Sequence, residues 1–310
     1  MGLRIRTNVQ SLTAQRHLGL SRLKQEGHAA KLASGRRINK AADDAAGLAI
    51  AEGLRADIRS LQQAQRNAND AVAMIQVAEG GLEEINSVLT RLRELSIQSA
   101  SDTIGKNERS YLNQEFMALK DEIDRIVLAT EFNGTKLLIG KGDGVPEELL
   151  EGHNPPPLEM QVGKDYVLPV DALEAPNPVN IIKINLEKID ARIASEDGLR
   201  LGYPTDEDGT RVDHKQGAQQ AIARLDEAIQ KVSSFRATLG AYQNRLGSAE
   251  RNLGVRIENL TAAKSRIVDA DFAFETAELT KANILMQAGS AILSQANQFP
   301  NTALELVKNI

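Results

Sequence analysis

The stretch ANILMQAGSAILSQANQFPNTAL, residues 282–304, decides the architecture. It carries no charged residue, in a chain where a quarter of all residues are charged. Leu285, Ile292, Phe299 and Leu306 fall seven apart, and Gly289, Ala296, Ala303 and Ile310 follow each by four. That 4-3 alternation is the spacing of a coiled-coil helix, large residues in one row and small ones in the other. A membrane span would also be long and uncharged. Asn283, Gln287, Ser290, Ser294, Gln295, Asn297, Gln298, Asn301 and Thr302 argue against it, since all of them would enter hydrocarbon. Solvated helix faces are normally rich in Lys and Glu, whereas these are polar but neutral. Stacked copies of one chain bring identical residues together, where like charges repel. The segment therefore reads as a helix built to pack into a homopolymer.

Composition agrees. The 310-residue chain has no Cys, no Trp and only 3% aromatic residues, and a core of Leu, Ile, Val and Ala on long helices accounts for that shortage. The net charge of −5 is too mild to imply a nucleic acid or an anionic membrane surface as partner. Without Cys there are no disulfides, thiolate nucleophiles or Cys-based zinc sites. Arg4, Arg6, Arg16 and His17 interrupt any signal-peptide core near the start.

Outward from the decisive stretch, helical patterns fill both flanks. Ile5, Val9, Leu12, Leu20 and Leu23 begin a stripe that runs to about Leu32, with Ser34-Gly35 as its stop. Asp43 or Asp44 caps a second helix whose stripe continues to Leu95, so that a helix over 44–100 would span roughly 80 Å. No proline precedes Pro146, as such a length requires. A third helix covers about 107–129. Asn133-Gly134 then signals a hairpin turn, followed by a strand from Thr135 to Ile139. Eight of the nine prolines lie between 146 and 204. There a second strand over Gln161–Val170 and a short helix over Ile181–Ile193 are expected, in a surface insert. From about Gln216 heptads return. Gly240, Gly247 and Gly254 each follow a seam leucine, and three glycines in helical register point to close approach of a neighbouring backbone.

The expected fold is mainly α: a long antiparallel helical rod formed by both ends of the chain, with a small β-hairpin-containing insert. Its parts are the inner-core helix over 1–43, the rod with the start of the hairpin over 44–140, the variable insert over 141–214, the returning rod over 215–268 and the inner-core helix over 269–310.

No constellation points to catalysis, a cofactor or a metal. The four His residues are scattered without the HExxH spacing, and Gly134–Lys141 misses the phosphate-loop spacing. Asp206-Glu207-Asp208-Gly209 lacks the remaining ligands of a calcium loop and reads as an exposed turn.

Several segments then speak more directly. NVQSLTA (Asn8–Ala14), LASGRRIN (Leu32–Asn39), ADDAAGL (Ala42–Leu48), RLRELSIQSA (Arg91–Ala100) and EFNGTK (Glu131–Lys136) stand in the first part. LGAYQNR (Leu239–Arg245), NLTAAKSRIVDADFA (Asn259–Ala273) and AGSAILSQANQ (Ala288–Gln298) stand in the last. In these, over 1–140 and 215–310, the chain resembles bacterial flagellin. The resemblance implies a structural, non-enzymatic subunit of the hollow flagellar filament used for motility. It further implies export of the unfolded chain by the flagellar type III apparatus and an extracellular place, with a periplasmic or sheathed filament left open. Ile5, Val9, Leu12, Leu285, Ile292, Phe299 and Leu306, with the three glycines, would form the assembly interface. Implied partners are further copies, the filament cap, hook-junction proteins, an export chaperone over the terminal helix and a vertebrate Toll-type receptor meeting Arg91, Leu95 and Glu115. A hook–filament junction protein of the same superfamily is the alternative.

Overall fold

A computed structural model describes residues 8–141, 157–165, 180–195, 198–202 and 209–308, with the side chains of 299–308 excepted. Ile5, Ile310, the side chains of Phe299, Ala303 and Leu306, and the acidic turn at 206–208 lie outside the described residues. Five helices dominate: α1 (Val9–Ser34), α2 (Ala45–Ala100), α3 (Lys106–Ala129), α4 (Lys215–Val268) and α5 (Phe272–Lys308). Four short strands, β1 (Glu131–Phe132), β2 (Thr135–Lys136), β3 (Leu158–Gln161) and β4 (Ile181–Ile184), form two antiparallel pairs, β1 with β2 and β3 with β4. The chain divides into two compact units, Met1–Ile58 with Glu258–Ile310 and Arg59–Ile257. The divisions fall inside α2 and α4 rather than at their caps.

Local chemistry sets the helix boundaries. Gly35 ends α1 in the left-handed conformation (φ 67°) that its missing Cβ permits. Asp44 caps α2, its Oδ1 accepting from Gly47 N at 2.8 Å. Asn133 and Gly134 both have positive φ, 49° and 79°, as a tight hairpin turn of the primed type requires, and they set the register Glu131↔Lys136, Phe132↔Thr135.

In the unit Arg59–Ile257, α2 buries Leu61, Ala64, Ala68, Ala71, Ile75, Ala78, Leu82, Ile85, Leu89, Leu92 and Leu95. Its partner α4 buries Ala218, Ala221, Leu225, Ala228, Val232, Phe235, Leu239, Leu246 and Leu253. Both rows step 3-4 and, from Ala68 to Leu95 on α2 and from Ala218 to Leu246 on α4, join Phe116, Ile123 and Val127 of α3 in one continuous core. Arg93 Nε donates to Asp226 Oδ1 at 2.6 Å, tying α2 to α4 at the core's edge. Gly81 does not break α2. A Cβ there would lie 2.6 Å from Thr130 Oγ1 and 3.0 Å from Leu138 Cδ1, so the glycine admits the chain just after α3.

The middle of the chain departs from the sequence expectations. The first strand partner is Thr135–Lys136 rather than Thr135–Ile139, and Ile139 makes only an isolated bridge to Asp190. The strand expected over Gln161–Val170 lies earlier, at Leu158–Gln161, and residues 166–170 fall outside the described part. The helix expected over Ile181–Ile193 begins as a strand. Ile181-Ile182-Lys183-Ile184 alternates half-buried with buried residues along β3, which β-branched side chains favour and which a short helix cannot match. Nor do the described residues of the expected surface insert all lie at the surface. Ile182, Ile184, Leu186, Ile189, Ala191, Ile193, Leu199, Leu201 and Val212 are buried in the same core as α2 and α4. Apolar residues at this density are driven inward whatever turn residues surround them.

Candidate assembly surface

In the unit Met1–Ile58 with Glu258–Ile310, α1 lies against α5. Asn8 caps α1 through Oδ1, which accepts from Ser11 N at 3.0 Å, while its Nδ2 donates to Ala296 O at 2.7 Å. Asp271 caps α5 through Oδ1, accepting from Ala273 N and Phe274 N at 2.9 and 3.2 Å. Beside these starts, Ala270 N donates to Gly35 O at 3.0 Å and Arg37 N to Val268 O at 2.6 Å. Arg37 Nη2 adds a bond to Ile267 O at 2.7 Å. The LASGRRIN segment and the VDADFA segment are thus stitched together by backbone.

Small, polar and large apolar side chains share the facing rows. From α1 come Ser11, Ala14, Leu18, Ser21, Gln25, His28 and Leu32, stepping 3-4; from α5 come Glu275, Leu279, Ala282, Met286, Gly289, Leu293 and Ala296, stepping 4-3. Hydrogen bonds cross the pair: Ser11 Oγ to Asn297 Oδ1 at 2.8 Å, Gln25 Nε2 to Asn283 Oδ1 at 2.7 Å, and His28 Nδ1 with Glu275 Oε2 at 2.6 Å.

This corrects the seam read from sequence. The row of small residues, Gly289 and Ala296, does face the partner helix, but the large row beside it is Met286 and Leu293, one position beyond Leu285 and Ile292. Those two are 49% and 58% exposed. The N-terminal stripe is turned out as well: Val9, Leu12, Leu20 and Leu23 are all at least half exposed. Spacing could not reveal the shift, because rows one residue apart share the same heptad period and only hydrogen bonding settles which faces inward.

The consequence is a pair with apolar residues on both faces. Its inner face is closed by hydrogen bonds, by small side chains and by Leu18, Leu279, Met286 and Leu293. Its outer face presents Val9, Leu12, Leu20, Leu23, Ile284, Leu285 and Ile292 to water. A groove between the helices is lined by Val9, Leu18, Leu285, Gly289 and Ile292. Phe272 and Phe274 stand exposed near the start of α5. Exposed apolar surface this contiguous marks a place where protein meets protein. Among the described residues no helix is long and apolar enough to cross a membrane.

The other expected site residues lie in the unit Arg59–Ile257. A Cβ at Gly240 or Gly254 would meet nothing within 4 Å, and one at Gly247 only Arg251 Nη1 at 3.6 Å. Among the described residues no close backbone approach occurs at these glycines. Arg91 and Glu115 do come together: Arg91 Nη2 and Nε donate to Glu115 Oε1 at 2.8 and 3.2 Å, and Nη1 donates to Glu94 Oε2 at 3.1 Å. The bond to Glu115 first, then that to Glu94, holds the guanidinium above its ordinary range. Leu95 does not join them at the surface. It is fully buried, because its heptad position points into the α2 core, so its side chain supports α2 from beneath.

One structural residue escaped the sequence reading. Lys120 is fully buried, and its Nζ donates to the carbonyls of Leu201 (3.1 Å) and Gly202 and to Thr210 Oγ1 (3.3 Å), with the Phe116 ring 5.9 Å away. A signal was available: Lys120 stands in the inward row Phe116, Lys120, Ile123, Val127, where a solvated lysine would not be placed.

Comparison with known proteins matches the two helical ends of the chain. A family model described as the bacterial flagellin N-terminal helical region matches residues 5–143, and one for the bacterial flagellin C-terminal helical region matches 222–307. A flagellin of Halalkalibacterium halodurans is 40% identical over 304 residues, covering 98% of this chain and 99% of that protein. The flagellar filament 33 kDa core protein of Treponema phagedenis is 39% identical over 305 residues, with coverage of 98% and 99%. The solved structure of a putative flagellar hook-associated protein from Vibrio parahaemolyticus aligns with a TM-score of 0.53 at 14% identity, covering 73% of this chain and 100% of that one, a likeness of fold.

Proposed function

This chain belongs to the bacterial flagellin family, and on that premise we propose how it reaches the flagellum and what its outer faces meet there. As a flagellin it is a structural subunit that self-assembles into the flagellar filament, and not an enzyme. The unfolded chain leaves through the flagellar type III apparatus and is added at the distal tip of a hollow, extracellular filament used for motility. A chain free of cysteine cannot cross-link on such a route. The filament cap receives the subunit, hook-junction proteins stand at the filament's base, and an export chaperone covers the apolar face of α5 before assembly. Leu285, Ile292, Val9 and Leu12 then pack against neighbouring copies, together with Ile5, Phe299 and Leu306. Gly240, Gly247 and Gly254 allow a neighbouring copy to approach α4 closely. By resemblance, a vertebrate Toll-type receptor meets the exposed Arg91–Glu115 pair.

The observation that carries this reading is the row of large apolar side chains on α1 and α5 that the single chain leaves exposed. A hook–filament junction role is the weaker alternative: the hook-associated structure shares 14% identity, whereas flagellins share about 40% over almost the whole chain. The test is polymerisation of the purified full chain, seeded with short filament fragments and followed by sedimentation and negative-stain electron microscopy. Long tubular filaments are expected. Protein that stays monomeric at high concentration despite seeds would overturn the assembly reading.

A further inference from the structure

Asn133-Gly134 is the only Asn-Gly pair in the chain. Asparagine before glycine is the pairing most open to attack by the backbone on the side chain, because no Cβ hinders the glycine N–H. Asn133 is exposed, and its side chain has no hydrogen-bond partner among the described residues. Its amide is therefore accessible, and only the backbone decides whether it reacts. The closed hairpin forbids the reaction. The φ values of 49° and 79° match the two central positions of a type I′ turn, about 60° and 90°, and such a turn holds ψ of the first at about 30°. At that ψ the Cα–Cβ bond of Asn133 and the C–N bond to Gly134 point to nearly opposite sides. Joining Gly134 N to Asn133 Cγ in a five-membered ring needs those two bonds eclipsed, so ψ has to swing through most of a half-turn. The pairing of Glu131 with Lys136 and Phe132 with Thr135 blocks that swing.

The chain after the turn is anchored as well. Leu137 N donates to Thr130 O at 3.2 Å, and Leu138 O accepts from Ala191 N at 2.9 Å. Leu137, Leu138 and Ile139 are all buried in the core.

We propose that Asn133 is a self-modification site held dormant by the hairpin, with water as the one co-reactant. When β1 and β2 part, Gly134 N attacks Asn133 Cγ. The N–Cγ bond forms, the Cγ–Nδ2 bond breaks, and Nδ2 leaves as ammonia with the proton from Gly134 N. Water then adds to one of the two carbonyls of the resulting cyclic imide and breaks its C–N bond. Opening at Cγ leaves an ordinary aspartate, and opening at the main-chain carbonyl leaves isoaspartate, whose backbone runs through Cβ; nothing is oxidised or reduced. Aspartate suits a type I′ turn much as asparagine does. Isoaspartate adds a backbone carbon to a two-residue loop whose length fixes the register, so it can neither close the hairpin nor seat Leu137 to Ile139. The turn thus has a second duty, guarding the chain against its own ageing. The site lies within one chain and stands whether or not copies assemble.

The test incubates the full chain near neutral pH, folded and in concentrated urea, and follows each asparagine by peptide mass spectrometry with enzymatic labelling of isoaspartate. In urea Asn133 should convert faster than any other asparagine. In the folded chain its conversion should be at least about tenfold slower, because only molecules with an opened hairpin react. Equal rates in the two states would overturn the guard. Conversion in urea no faster than at Asn185, which precedes a bulky leucine, would overturn the site. Chains aged in urea are then returned to buffer. Those carrying isoaspartate at position 133 should be depleted several-fold from the folded fraction, whereas Asn133→Asp should refold and melt as wild type does. Isoaspartate chains recovered in proportion to their input would refute the loop-length argument. A defect as large in Asn133→Asp would assign the loss to charge and refute it equally.

Discussion

Leu285→Ala combined with Ile292→Ala tests the outward face of α5 directly. In the single chain these side chains are 49% and 58% exposed, so about half of their burial is still open to a neighbouring copy. Full burial of such an aliphatic side chain stabilises by about 1.5–3 kcal/mol. Alanine keeps a methyl group's share, which leaves about 1 kcal/mol lost per residue from the contact between subunits. Seven residues of helix separate the two sites by ~10 Å, far enough for the effects to add. The double variant should therefore weaken assembly by about 2 kcal/mol, a rise in critical concentration of roughly thirtyfold. The soluble chain should lose less than the contact between copies does, because both side chains, though they line the groove beside α1, are about half exposed in the single chain. Leu293→Ala provides the contrast: it lies one position further on, in the row facing α1, and should loosen the pair in the soluble chain. A critical concentration for the double variant within about threefold of wild type, measured by pelleting, would refute the assembly role of this outer row.

Gly247→Val with Gly254→Val should leave the soluble chain's thermal unfolding within a degree or two, since the space around both glycines is open, yet lower the filament's melting temperature; unchanged filaments would remove close packing of copies at α4. Arg91→Ala should keep the fold and reduce receptor signalling by the monomeric protein at least about tenfold, and equal potency in a reporter assay would take Arg91 out of that contact. Lys120→Met removes the donor to the buried carbonyl of Gly202, while that of Leu201 keeps its bonds from Thr210, and should destabilise the chain by roughly 2 kcal/mol in urea unfolding; a loss under about 0.5 kcal/mol would show the cluster is dispensable. Asp43 accepts from Asn39 N and Lys40 N, and these two bonds hold its carboxyl below the usual aspartate range. Its stabilisation is present above the unfolded value near ~3.9 and is lost as pH falls through the lower folded value. Asp43→Asn should therefore flatten the acid limb of the unfolding curve below about pH 4, which titrated circular dichroism would show.

Much of the architecture was legible because it depends on period and punctuation. Leu61 to Leu95 and Leu225 to Leu253 repeat long enough that no strand or loop competes, and Ser34-Gly35, Asp44 and Asn133-Gly134 act through backbone geometry fixed by residue type. Two things were hidden. The middle segment was read from its prolines and turn residues, while Ile182, Ile184, Ile189 and Ile193 answered to a core whose shape α2, α3 and α4 decide. At the assembly surface the composition of α5 pointed to a polymer, but its rows were assigned one position off. Ser11, Gln25, His28 and Glu275 are ordinary surface residues by type, and nothing in their spacing announces the bonds they make across the pair.

Asn8 and Ala296 bond to each other across a separation of 288 residues. Closing so long a loop is already costly, but the cost grows only logarithmically, by about 0.6 kcal/mol for each doubling of length. The pairing of the two ends is thus nearly blind to how much chain lies between them. Extra sequence placed beyond Lys141, as a tag, an epitope or a small folded module, would leave the entropy of joining α1 to α5 almost unchanged. Cutting the start of the chain back through Asn8 would instead remove the bonds from Asn8 to Ala296 and to Ser11 N. For an engineer the middle of this chain is a cargo bay, and its ends are the hull.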